Sequence, residues 1–155
     1  MKVKQIILML ILIGLTNCSN NLKIKQYNSE YNYSMNLPEN WSEYETDEKN
    51  TNAFFDTTRW TGNLRVSPMD YKVKNPKEFL RETLAENNGQ DIKWNNINGV
   101  YYIENEKNEV IHYWYLIENN KFYVCSFIIG NLNGKTEIEE ELNRVIEILK
   151  SIKSK

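Results

Sequence analysis

Every second residue from Tyr31 to Leu37 is aromatic or aliphatic: Tyr31, Tyr33, Met35 and Leu37 are separated by Asn32, Ser34 and Asn36. A period of two puts the first set on one face of an extended strand and the second on a wet face. Pro38-Glu39-Asn40 turns the chain, and Trp41 opens a second strand to about Thr46. The acidic stretch from Glu43 to Asn50 reads as a loop. Ala53 to Arg59 and Asn63 to Tyr71 then read as a hairpin around Thr61-Gly62, with Gly62 supplying the positive φ of a tight connection. Asn75-Pro76-Lys77-Glu78 combines a capping side chain with proline in the first turn, so a helix is predicted from there to about Asn88. Gly89 is the expected left-handed stop, and Phe79, Leu80 and Leu84 form a narrow buried stripe.

Strands are predicted near Gln90 to Asn96, Gly99 to Glu104 and Glu109 to Glu118, with Lys121 to Ile129 returning after Asn119-Asn120. Asparagine tolerates the left-handed conformation, so the pair can close a two-residue hairpin. Both arms are apolar almost without alternation, which places this hairpin at the centre of the sheet with both faces covered. Counting back from the turn sets Glu118 opposite Lys121, Trp114 opposite Cys125 and His112 opposite Phe127. Thr136-Glu137-Ile138-Glu139 is a capping box, and Ile138, Leu142, Val145, Ile146, Leu149 and Ile152 follow at helical spacing. The glutamates at its start and Lys150 and Lys153 at its end suit the helix dipole and need no binding role. The expected fold is α+β: a central antiparallel sheet of about seven strands with two helices.

The first residues follow another pattern. Lys2 and Lys4 precede an apolar run, Ile6 to Leu15, which is short of the ~20 residues a spanning helix needs. Leu15-Thr16-Asn17-Cys18 closes it and resembles the bacterial lipobox, whose cysteine is thioether-linked to diacylglycerol before the chain is cut ahead of it. The expected organisation is a signal peptide over 1–17, a lipidated tether over 18–25 with Cys18 as the attachment site, and a folded domain over 26–155. Each buried acyl CH₂ contributes ~0.8 kcal/mol, so several chains would hold the domain at a membrane.

Composition narrows the rest. Loss of Lys2 and Lys4 with the leader makes the body more acidic than the formal −2 of the whole chain, and no block of lysine or arginine offers a nucleic acid its phosphate contacts. Cys125 is the one cysteine besides Cys18, so the body must be held by packing and not by an internal disulfide. His112 is the sole histidine, and the predicted register makes it a diagonal neighbour of Cys125 at ~7–8 Å, beyond the reach of a nucleophile and its base. A small buried cysteine and a histidine satisfied by a backbone or tyrosine oxygen is the expectation. One histidine and one cysteine are too few for zinc, and the groups Glu43, Glu45, Asp47, Glu48 and Glu104, Glu106, Glu109 lack the glycine turn of a calcium loop. No glycine-rich phosphate loop and no Gly-x-Ser-x-Gly occurs, so neither a cofactor nor a catalytic residue is assigned. Asn32-Tyr33-Ser34 and Asn40-Trp41-Ser42 match the glycosylation pattern at a level expected by chance. Trp41, Trp94 and Trp114 are expected in the core. Trp60, at a hairpin tip beside Arg59 and near Arg65, has the composition of a protein-binding hot spot, set against a tryptophan folded back on its own sheet.

Tyr31 to Trp41, an alternating aromatic strand ending in Pro38-Glu39-Asn40-Trp41, resembles the opening of PsbP-like domains. The order of Asn75-Pro76-Lys77-Glu78-Phe79-Leu80, a long final hairpin and a closing helix ending Ile148-Leu149-Lys150-Ser151-Ile152 is similar too. That resemblance implies an α/β/α sandwich used for protein binding, with no catalytic residues to carry over. The functional expectation is a non-enzymatic lipoprotein that binds a protein partner in the cell envelope, in one form an immunity protein covering a toxin. Ser19 after Cys18, in place of a retaining aspartate, points to the outer membrane facing the periplasm. The alternatives are an envelope-maintenance lipoprotein or a small apolar-ligand carrier, the latter with a cavity among Tyr101, Tyr113, Tyr115 and Tyr123.

Overall fold

The computed structural model describes residues 23–106 and 109–155. The leader and Cys18 lie outside the described residues. In chain order the elements are β1 (Ile24–Ser29), β2 (Tyr33–Pro38), β3 (Trp41–Tyr44), β4 (Asn52–Asp56), β5 (Gly62–Lys72), α1 (Pro76–Glu86), β6 (Gln90–Trp94), β7 (Ile97–Glu106), β8 (Glu109–Glu118), β9 (Lys121–Ile129), α2 (Lys135–Lys150) and β10 (Lys153–Ser154). Seven strands form one antiparallel sheet in the order β3-β4-β5-β9-β8-β7-β6. The β8–β9 hairpin lies in its interior as expected, with Glu118 opposite Lys121, Trp114 opposite Cys125 and His112 opposite Phe127.

The alternating strand from Tyr33 belongs elsewhere. It is the middle of a separate three-stranded sheet, β1-β2-β10, and its buried Tyr33, Met35 and Leu37 fill the space between the two sheets. Ser34, opposite Lys153 of β10, is nearly buried, so only part of the polar face is wet. Ile24 and Lys25, which polarity assigns to a tether, already pair with Pro38 and Leu37. Backbone ladders recruit an edge strand whatever its exposed side chains are. Asn52 of the main sheet ties the layers together: Ser29 Oγ and Tyr33 OH both donate to its Oδ1, at 2.6 and 2.7 Å, and its Nδ2 donates to Glu43. Such buried polar atoms must be partnered, so this network sets the register between the sheets.

Boundaries differ where a local bond outcompetes a ladder. Asp56 Oδ1 accepts from Thr58 N at 2.8 Å and from the Thr58 hydroxyl, a turn that ends β4 three residues before Arg59 and lengthens the connection to Gly62. Gly62 has φ +148°, and a Cβ there would come within 2.3 Å of the Ile128 carbonyl oxygen. α1 begins on Asn75 as predicted, but Asn88 at φ 48° takes the left-handed role expected of Gly89. α2 begins a residue before Thr136, from Gly134 with no side-chain cap, so the capping box does not form. Asn119 and Asn120, at φ 50° and 63°, close the central hairpin as expected.

The two faces of the main sheet are covered unequally. α2 and the small sheet pack on one face around Trp41, Phe54, Leu64, Trp114, Tyr123 and Phe127. α1 packs on the other face only near β7, β8 and β9, where Leu80 and Phe79 meet Val100, Tyr102, Ile117 and Phe122.

Candidate functional site

Each strand sends alternate residues to opposite faces, so the core positions of β3, β4 and β5 determine what lies on the half-covered face. Trp41 and Phe54 point inward; Tyr44 and Phe55 therefore point outward, and Tyr44 is opposite Ala53, beside Phe55. The Tyr44 and Phe55 rings meet edge to face with centroids 5.7 Å apart, and Phe55 meets Trp60 at 6.2 Å. Arg65, outward between Leu64 and Val66, pairs through Nη1 with Glu48 at 2.9 Å, while its Nε is buried without a partner. An aromatic row ending in a half-satisfied guanidinium has the composition that concentrates binding energy at protein interfaces.

Trp60 is 47 % exposed. Its indole rests on Gly130, where a Cβ would approach within 2.6 Å, so the ring is partly folded back and partly offered to solvent. Arg59 is exposed in the same connection. Trp60, Arg59 and Arg65 thus all belong to the loop and strand that border the open face, with Arg65 and Phe55 as its fixed floor. Tyr44 and Phe55 were missed by sequence reasoning. Their signal was legible: two adjacent phenylalanines in one strand must face opposite ways, and only one can enter the core.

His112 and Cys125 share the covered face, as the register predicts. His112 is 4 % exposed; its Nδ1 lies 2.7 Å from the Tyr101 hydroxyl, the tyrosine partner expected of it, while its Nε2 is buried without a partner. Burial lowers its basicity from the ordinary value and pushes the fully buried Cys125 thiol far up, which disfavours the thiolate. Among the described residues no group of three His, Cys, Asp or Glu side chains could hold a metal ion.

The four tyrosines of the carrier reading do not enclose one cavity. Tyr113 and Tyr115 are on the α1 face, Tyr123 is wholly buried between the sheets, and Tyr101 is on the α2 face. Trp94 departs from expectation as well: on the edge strand β6 it is only partly buried, and Lys150 Nζ at the end of α2 sits 5.9 Å from its ring centroid. A cleft of about 480 Å³ opens there between β6 and α2, with Tyr101 and Trp114 at its base.

The sequence profile of the family described as "Domain of unknown function (DUF3805)" matches residues 22–155, and the chain belongs to that family. No curated protein matches it. A crystal structure from Bacteroides thetaiotaomicron VPI-5482 at 1.50 Å resolution is similar, with a TM-score of 0.61 and 24% identity over 84% of this chain and 48% of that one. The chain thus spans about half the length of that protein. The solution structure of cyanobacterial PsbP (CyanoP) from Synechocystis sp. PCC 6803 overlays at a TM-score of 0.40 with 9% identity, covering 92% of this chain and 99% of that one. Two helices flanking a seven-stranded antiparallel sheet make the α+β sandwich that the resemblance to PsbP-like domains implies.

Proposed function

We propose that this member of the DUF3805 family is a non-enzymatic lipoprotein, anchored through Cys18, whose domain binds a protein partner in the cell envelope through the open half of its main sheet. The observation that carries the reading is the row Tyr44, Phe55 and Trp60 beside Arg65, aromatic rings held against one another at a solvent-facing surface. Rigid aromatics bring large contact area at small entropic cost, and the partly exposed Arg65 beside them is of the residue type enriched at binding hot spots. A toxin covered by an immunity protein is the specific form of partner this reading takes, with the outer membrane facing the periplasm as its place. No helix among the described residues is long and apolar enough to cross a membrane; the anchor of this reading is the acyl chain on Cys18. The space between the sheets is filled by Tyr33, Trp41, Phe54, Tyr123 and Phe127, which weighs against a closed apolar carrier cavity.

Two experiments test it. A photo-crosslinking residue at Tyr44 in living cells should give one discrete protein adduct, while the same residue at Glu86, on the exposed side of α1, gives none. Adducts from neither position, or equally from both, would remove the open face as a docking surface. Labelled fatty acid should enter the wild-type chain and not Cys18→Ser; label that is absent, or that survives the substitution, would remove the anchor.

A further inference from the structure

We infer that the cleft between β6 and α2 is a binding site for a neutral pyranose-ring sugar, a site separate from the open face and independent of the reading built on it. β6 alternates, so Gln90, Ile92 and Trp94 form one wall. Glu139, Leu142, Asn143 and Ile146 recur at helical spacing along one side of α2 and form the other. Its volume, about 480 Å³, lies within the ~300–1,000 Å³ typical of small-molecule sites.

The lining chemistry eliminates other classes. An apolar ligand would strip water from Gln90, Glu139 and Asn143 without replacing its hydrogen bonds. An organic cation meets one carboxylate that faces the cleft, Glu139, which lies beside Lys135 at 3.8 Å, and Lys150 already sits over Trp94. An anion finds no lysine or arginine among the lining residues. What fits is an uncharged ring with apolar C–H faces and a polar edge. The C–H face stacks on Tyr101 and Trp94, whose π surfaces attract polarised hydrogens. The hydroxyls donate to Glu139 and both donate to and accept from the carboxamides of Gln90 and Asn143.

The probes are methyl pyranosides of gluco, galacto and manno configuration and methyl N-acetylglucosaminide, each titrated to tens of millimolar, with cyclohexanol and choline as the apolar and cationic comparators. The indole N–H resonances of Trp94 and Trp114 should shift saturably with at least one pyranoside, while those of Trp41 and Trp60 stay in place. Trp94→Leu should weaken that titration by about tenfold, the loss of one aromatic contact. Asn143→Ala, at an exposed position that the fold does not need, should weaken it as well. An unmoved Trp41 resonance in each variant verifies the fold. No saturable shift with any pyranoside, or tighter binding of cyclohexanol or choline, would overturn the inference.

Discussion

The two faces of the main sheet are made by the same strands from alternate residues, yet they do different work. Trp41, Phe54, Trp114 and Phe127 are buried under α2 and the small sheet. On the opposite face, Tyr44 of β3, Phe55 of β4 and Arg65 of β5 remain partly exposed, because α1 packs on the β7 to β9 side. The covered face supplies stability through apolar area removed from water; the open face carries the same residue types with their burial incomplete. Incomplete burial of these rings is what the proposed docking role rests on.

The sharpest way to break this contrast is to damage the covered face. Trp114 is 1 % exposed, and Trp114→Ala should cost about 3–5 kcal/mol in urea unfolding. A much smaller loss would mean that the face is less tightly packed than its burial implies. Glu141 comes next: 1 % exposed, it accepts from the Thr61 hydroxyl at 2.6 Å and from Arg144, fastening α2 to the loop before β5. Glu141→Ala strands the buried Thr61 hydroxyl and should cost about 1–3 kcal/mol, again read by urea unfolding. The dipole explanation of the acidic run does not cover this residue, which is a buried fastening.

A smaller effect follows pH. Burial lowers the pKa of His112 in the folded state below its ordinary value. Between those two values the unfolded chain binds more protons, so stability is full above the unfolded pKa of ~6.5 and falls as the medium acidifies, by at most about 1.4 kcal/mol per pH unit. Denaturant titrations from pH 7.5 to 5 should show that slope, and His112→Gln should flatten it. The smallest stability change belongs to the open face. Trp60→Ala should cost about 1 kcal/mol or less, since half the ring is already in water, while crosslinking from Tyr44 to a partner falls away. A large loss of stability without loss of the adduct would reverse the assignment of the two faces.

Local pattern and pairwise chemistry were sufficient for much of this molecule. The period-2 run at Tyr33 to Leu37, the doubly apolar hairpin with its register through Asn119-Asn120, the start of α1 at Asn75, and a histidine held by a tyrosine oxygen are all legible in residue order, because each depends on neighbours in the chain or on a turn that sets pairing. What residue order leaves open is coverage. Whether Tyr33 to Leu37 joins the main sheet or a second one, whether Trp94 is core or cleft wall, and whether Phe55 meets a helix or water depend on where α1, α2 and β10 dock. Docking is decided by long-range burial and by bonds such as Thr61 to Glu141, 80 positions apart, which no local period encodes.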